Sequence, residues 1–463
     1  MIHKKHREAV DMIHGPLWGK MVVYTLPILG ANVLQYFYNV ADTIVVGQFA
    51  SDGEKALAAV GSTGALINLI IGLLLGLAVG ACSTLAQDIG ARSRQEAEKT
   101  VHTSILTSVL FGVPFSLFGI LLARPLLLLM QIPPEVLEWA VLYMRIYFVG
   151  VPFALLYNFG AGLLRANGDT RYPFFVLLLS GVLNVAFNLL LVVVFRMDVA
   201  GVAIATVASQ ILSAVMVVWK LRREPDYCHL RLRSLHINRQ SFIRILRVGI
   251  PTGVQSSMFS LSNVLLQSSI NSFGQTVIAG NAAAGNIENI IYMANNAVYQ
   301  TALTFVGQNY GARSLPRIRR VTRHALLLIL IVSPVLSLTV NVFSKPLLSL
   351  YAPGNAAAIA SGVERIRLIA SFYLLAGFME VMSGALRGMN RSFFPMIVSL
   401  LGVCGLRVLW ILFVFPIPAM HTIAGLFLVY PISWGLVFLV NALYYLLTVR
   451  HLKKTVPTPI EKS

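Results

Sequence analysis

Of the eighteen acidic residues in this chain, only Asp42, Glu288 and Glu380 fall inside long apolar runs beyond their first turn. An ionised carboxylate buried there costs roughly 2.5–3.5 kcal/mol on insertion scales, so each is a candidate for reversible binding of a proton or a cation. Asn184 and Asn188 are spaced i, i+4, and a helix puts both amides on one face. Carboxylate and amide carbonyl oxygens are hard ligands of the kind a small cation takes. The structural alternative for Asp42 is a capping or interfacial aspartate, and for the asparagines a hydrogen bond between helices. Glu288 is surrounded by Asn286, Asn289, Asn295 and Asn296, a polar stretch that has to face a cavity or protein, because lipid leaves such groups unsatisfied. Glu380 precedes Arg387 by seven residues. A buried ion pair with Arg407 or Arg145 is the structural alternative for both glutamates. Tyr38, Gln255, Met258 and Tyr292 bring aromatic, amide and thioether groups into the same runs, and such surfaces adapt to varied hydrophobic cations.

The elements that must position these groups follow from composition. The chain has 463 residues, 57% hydrophobic and only 12% charged. A soluble domain averages about 25% charged, which excludes an ordinary soluble enzyme. A spanning helix needs about 20 mostly apolar residues, and that window predicts an all-α polytopic membrane protein with twelve transmembrane helices. They fall near 17–46, 56–86, 101–123, 136–158, 172–195, 199–219, 246–271, 276–306, 324–343, 363–383, 393–415 and 422–448. The first is too long, and too polar at its end, for a cleaved signal peptide.

The net charge of +18 would suggest nucleic acid in a soluble protein. Here it reads as topology: with a cytoplasmic N-terminus, 28 of the 36 basic residues collect on the cytoplasmic side and six, Arg365 and Arg367 among them, on the other. A multi-pass protein of the cytoplasmic membrane with both termini inside is expected, with lipid and no nucleic acid as partner. Cys82, Cys228 and Cys404 lie far apart, as buried apolar side chains rather than a disulfide or zinc set. His3 and His6 have helical spacing without further ligands, so no metal site is expected there. No Walker-type loop occurs, no nucleophile with an adjacent base stands out, and no cofactor is implied.

The chain repeats itself. Gln87–Ser93 (QDIGARS) and Gln308–Ser314 (QNYGARS) share five of seven residues at an offset of 221. Gly162–Arg165 with Pro173 answers Gly384–Arg387 with Pro395 at 222, and Pro27 answers Pro251 at 224. The organisation expected is a six-helix lobe over 1–219, a basic linker over 220–244 and a second six-helix lobe over 245–463. Because six is even, the lobes share one sense in the membrane and relate by a pseudo-two-fold along its normal, as in one class of secondary transporters, with substrate bound between the halves. Gly72, Gly76 and Gly80, four apart, predict a close helix crossing.

With Asn39-Val40-Ala41-Asp42-Thr43 and Gly47, Leu57–Gly61, the duplicated Q-x-x-G-A-R loops, Leu386-Arg387-Gly388 and the run Gly201–Thr206, the chain resembles the multidrug and toxic compound extrusion (MATE) family of secondary efflux transporters over nearly its whole length. The resemblance implies proton or sodium coupling at Asp42 and a site threonine at Thr206. Related transporters carry an aspartate at the second helix 5 position; Asn188 replaces it here and removes one titratable group. Some members place coupling acids in helices 7 and 10; helix 7 here has only Gln255 and Gln267, and Glu380 in helix 10 lies about one turn from the expected position, so Glu288, Glu380 and Arg407 stand as the second-lobe candidates. The expectation is a monomeric antiporter, not an enzyme. It exports small amphipathic, cationic organic compounds in exchange for H+ or Na+, with Na+ at Asp42 the one metal ion envisaged. The rival within the wider superfamily is a flippase for a lipid-linked oligosaccharide or cell-wall precursor, for which Arg145 and Arg407 are the candidate pyrophosphate ligands. An intramembrane enzyme or receptor is the rival of another class.

Overall fold

The structure, a computed structural model, describes residues 9–225 and 227–455. His3, His6 and the basic residues of the outermost tails lie outside them. The first lobe of the sequence folds into α1 (Leu17–Phe49), α2 (Gly53–Gly90), α3 (Arg94–Leu129), α4 (Pro134–Ala166), α5 (Arg171–Asn188) and α6 (Asp198–Arg223). α5 continues through a wider π turn, Leu189–Val194. The second begins with α7 (Arg239–Asn271), α8 (Gln275–Gly311), α9 (Leu315–Val342) and a short α10 (Ser344–Tyr351). The tenth span is α11 (Ala356–Ile369) and α12 (Tyr373–Gly388), joined by a 3-10 turn. The eleventh joins α13 (Phe393–Ser399) and α14 (Leu406–Leu409) through π turns, and the twelfth consists of α15 (Ile423–Phe427) and α16 (Val429–Thr455).

The fold is therefore all-α, with twelve helical spans in two sets of six. Ten of them are long and apolar enough to cross a bilayer by composition alone. The other two, α7 and α8, are just as long, at 33 and 37 residues, but carry the glutamines and asparagines already noted. Outward-facing leucines such as Leu121 (70% exposed) and Leu338 (66% exposed) are costly in water and cost nothing against acyl chains. The three cysteines are buried, and none of them is in a disulfide.

The duplicated motifs turn out to be helix stops. Arg92 and Arg313, at φ 55° and 54°, follow α2 and α8 in the left-handed region. One residue on, the Ser93 N–H donates to the Asp88 carbonyl at 3.1 Å and the Ser314 N–H to the Asn309 carbonyl at 2.9 Å. These six-to-one bonds are the Schellman termination, which satisfies carbonyls a helix end would orphan. Gly168 (φ 96°) and Asn390 (φ 63°) end α4 and α12 in the same way, with Asp169 bonded back to Leu164 and Arg391 to Leu386, each at 2.9 Å.

By packing, the chain divides inside α7 and not in the basic linker. One compact unit holds Leu26–Ser257 and the segment ending at Asp11; the other holds Met12–Thr25 and the chain from Met258 onward. Within the first unit the reason is the predicted glycine crossing. Side chains at Gly76 or Gly80 would collide with the backbone of Gly253, Gly249 and Ile245, so the first half of α7 lies directly on α2. Arg244 seals that crossing with a 2.8 Å bond to Asp88, whose other oxygen accepts from Thr100 at 2.6 Å. Within the second unit, Met12–Thr25 is held on α8 and α9. Asn309 Nδ2 donates to the Met12 carbonyl at 3.1 Å, Arg317 reaches the Met12, His14 and Gly15 carbonyls at 3.0–3.1 Å, and the Thr25 and Thr301 hydroxyls meet at 2.8 Å.

Candidate functional site

Asp42 lies in the last third of α1, on a helix whose only interior proline, Pro27, is far from it. Asn184 and Asn188 close α5, both buried, and the π turn starts at the next residue. π turns occur disproportionately at functional sites, because the extra residue re-aims the neighbouring side chains. Gly201 lets α6 approach that turn: a Cβ there would sit 3.0 Å from Val192 and 3.2 Å from the Leu191 backbone. The approach carries Thr206 to the same spot.

All four first-lobe candidates meet. Asn188 Nδ2 donates to Asp42 Oδ1 and, at 3.3 Å, to Asn184 Oδ1. Asn184 Nδ2 lies 3.5 Å from Thr206 Oγ1, which lies 3.4 Å from Asp42 Oδ2. Thr206 also reaches the Val202 carbonyl at 3.0 Å, so one hydroxyl proton serves two acceptors. Asn188 Oδ1 is buried with no hydrogen-bond partner among the described residues. Asp42 makes no ion pair among them either: its partners are neutral, and its charge has no fixed counterion.

Asp42, Asn184 and Thr206 line a cavity of about 210 Å³ wholly inside the first unit, and Asn188, fully buried, is not part of its lining. Tyr38 lines it, its ring filling the space a side chain at Gly181 would need and its hydroxyl donating to the Leu178 carbonyl at 3.2 Å. Gln255 does not line it, and Met258 and Tyr292 belong to the second unit. Sequence reasoning missed Tyr143 and Tyr147, one turn apart on α4 and stacked at 6.1 Å, and Gln210 on α6. A signal for Gln210 existed: Thr206, Ser209, Gln210 and Ser213 form a polar stripe at i, i+3, i+4 and i+7 in an otherwise apolar helix.

The second-lobe candidates do not form one site. Glu288 is buried and paired with Arg365, which donates through Nε at 3.2 Å and Nη2 at 3.0 Å and also to Asn281 Oδ1. The expected partners, Arg407 and Arg145, are wrong. Arg145 is exposed on α4. Arg365, expected among the basic residues on the far side, is inside α11, because the tenth span begins at Ala356 and not at 363. Its guanidinium is drawn inward by Glu288 and lies over the Phe427 ring at 5.1 Å. Arg407 is buried on α14, donates to Asn263 Oδ1 at 2.9 Å and stacks on Tyr430 at 4.3 Å. Glu380 instead feels the charge of Arg387, which donates to the Tyr299 hydroxyl at 2.5 Å.

The MatE family model matches residues 27–190 and 251–413, one segment in each half of the repeat. The chain is 27% identical to the probable multidrug resistance protein YoeA of Bacillus subtilis over 437 residues, 93% of each chain. It is 24% identical to the FAD transporter of Shewanella oneidensis, covering 92% of this chain and 94% of that one. A solved multidrug resistance MATE family transporter of the MOP superfamily, in an outward-facing conformation, superposes with a TM-score of 0.88 over 97% of this chain and all of that one, at 22% identity. With both halves matched by the family and nearly every residue aligned to its relatives, the chain belongs to the MATE family of multi-pass efflux transporters, which are not enzymes.

Proposed function

We propose that this transporter is an antiporter of the cytoplasmic membrane, with both termini inside, that exports amphipathic cationic organic compounds in exchange for H+ or Na+. The observation that carries the reading is the Asp42 carboxylate on a cavity wall, held by neutral donors alone. A buried charge without a fixed counterion is balanced by whatever mobile cation the cavity admits. The coupling ion and a cationic substrate then compete for one carboxylate, and each lowers the other's affinity by the same factor. Asn184 Oδ1 and the unpartnered Asn188 Oδ1 add neutral oxygens of the type Na+ accepts. The rings of Tyr38, Tyr143 and Tyr147 offer faces to an organic cation.

The test is dye efflux from proteoliposomes under separately imposed proton and sodium gradients. One gradient, and not the other, is expected to drive efflux, and Asp42→Asn should reduce driven exchange at least tenfold. Full-rate coupled exchange by the inserted variant would sink the mechanism. One observation favours the flippase reading: Arg407, buried with neutral partners, is a fixed cation suited to a phosphate. Rescue of a cell-wall precursor defect by a protein that moves no dye would establish it instead.

A further inference from the structure

A second cavity, about 520 Å³, opens in the second unit where α9 and α16 run beside each other against α12. Three guanidinium groups line it: Arg319 and Arg323, one turn apart on α9, and Arg450 on α16. All three are exposed, and among the described residues no acid lines the cavity and none of the three is in an ion pair. The rest of the lining is mainly apolar, with Leu326, Met382 and Leu446 in it. Tyr445 is buried beneath and donates its hydroxyl to Thr322 Oγ1 at 3.0 Å, which fixes the two helices to each other. Beyond the arginines the outward faces of both helices turn to exposed leucine, at Leu327 and Leu330 on α9 and Leu443 and Leu447 on α16. Cations therefore gather at the point where the helix surfaces change from polar to apolar.

The geometry points to a binding site for an anionic diacyl phospholipid, with its phosphate among Arg319, Arg323 and Arg450 and an acyl chain along the Leu326–Leu446 wall. Guanidinium groups bind phosphate oxygens in pairs, and basic pockets between spanning helices take acidic headgroups. A free phosphate would use the three charges and leave the apolar wall without a role. This site is separate from the Asp42 cavity, and its failure would leave the transport reading untouched.

Native mass spectrometry of the detergent-purified protein with phosphatidylglycerol, phosphatidylcholine of the same acyl chains, or inorganic phosphate tests it. Wild type is expected to retain phosphatidylglycerol in preference to both other probes. At about fivefold per lost basic contact, R319Q/R323Q/R450Q should bind it about a hundredfold more weakly. The lysine triple variant keeps the charge but not the paired contacts and should bind between wild type and the glutamine variant, and melting without lipid checks that each variant is folded. A control triple, R222Q/R233Q/R239Q, removes as much charge elsewhere and is expected to bind as wild type. Equal loss in the control would show diffuse attraction to the basic face and overturn the site. Inorganic phosphate binding as tightly as the lipid would overturn the lipid as occupant.

Discussion

The two halves of this transporter share their scaffold and part company at their buried carboxylates. In the first, Asp42 accepts from one amide and one hydroxyl and faces a cavity. In the second, Glu288 meets a guanidinium through two nitrogens and is closed off, its side chain 2% exposed. Duplication supplied one framework; the chemistry placed on it left one acid with neutral partners among the described residues and paired the other with a guanidinium. A buried pair is weak evidence for added stability, yet breaking it by removing one partner is severe. The two carboxylates should therefore respond to mutation in opposite ways.

The largest effect is expected at Arg365. Arg365→Met leaves Glu288 buried beside Asn281 with no cation, and should destabilise the protein by about 3–5 kcal/mol, read as unfolding in detergent. Adding Glu288→Met should recover most of that loss, since apolar groups of similar volume replace such pairs at little cost. If the single variant unfolds like wild type, Glu288 has another partner and the contrast with Asp42 collapses. The converse variant, Asp42→Asn, removes no countercharge and should leave stability within about 1 kcal/mol of wild type while abolishing coupling.

Smaller effects separate the neutral partners of Asp42. Asn188→Leu removes the amide that donates to the carboxylate, and about 1–3 kcal/mol of stability should go with it. The ion concentration giving half-maximal exchange should shift as well. Thr206→Val deletes a hydroxyl at 3.4 Å that already has a carbonyl partner, so about 0.5–1.5 kcal/mol is the expected cost, at most about tenfold in ion affinity. A larger response to Thr206→Val than to Asn188→Leu would reverse their assigned importance.

How much of this could be read from sequence depended on whether the signal was local. Asp42 stands out because a lone acid in an apolar run is rare, and Asn184 with Asn188 because i, i+4 spacing defines a helix face. The repeat was visible for the same reason, as identical short strings. Tyr143 and Tyr147 were not, since tyrosine in a spanning helix reads equally as packing or as an interfacial anchor. The Glu288–Arg365 pair joins residues 77 apart on different helices, and Arg365 sits near the first residue of the predicted span, where charge is ordinarily assigned to a loop. The division of the chain inside α7 likewise follows from glycine contacts that only packing reveals, though Gly72, Gly76 and Gly80 announced that some backbone would come close.

The helix stops give the comparison its internal control, because there the halves should behave alike. Arg92 and Arg313 occupy the same left-handed position after α2 and α8. A side chain in that conformation costs about 1–2 kcal/mol, and glycine relieves it while giving back about 0.5–1 kcal/mol in chain entropy. Arg92→Gly and Arg313→Gly should therefore each change stability by less than about 1 kcal/mol, with the same sign and similar size, measured by unfolding in detergent. The residues these turns carry are not equivalent: Asp88 accepts from Arg244 and Thr100, whereas Asn309 donates to the Met12 carbonyl. Matching effects of the glycine variants would confine the divergence of the halves to side chains on a common backbone. Unequal effects would place part of that divergence in the backbone itself, and the carboxylates would then differ because their helices end differently.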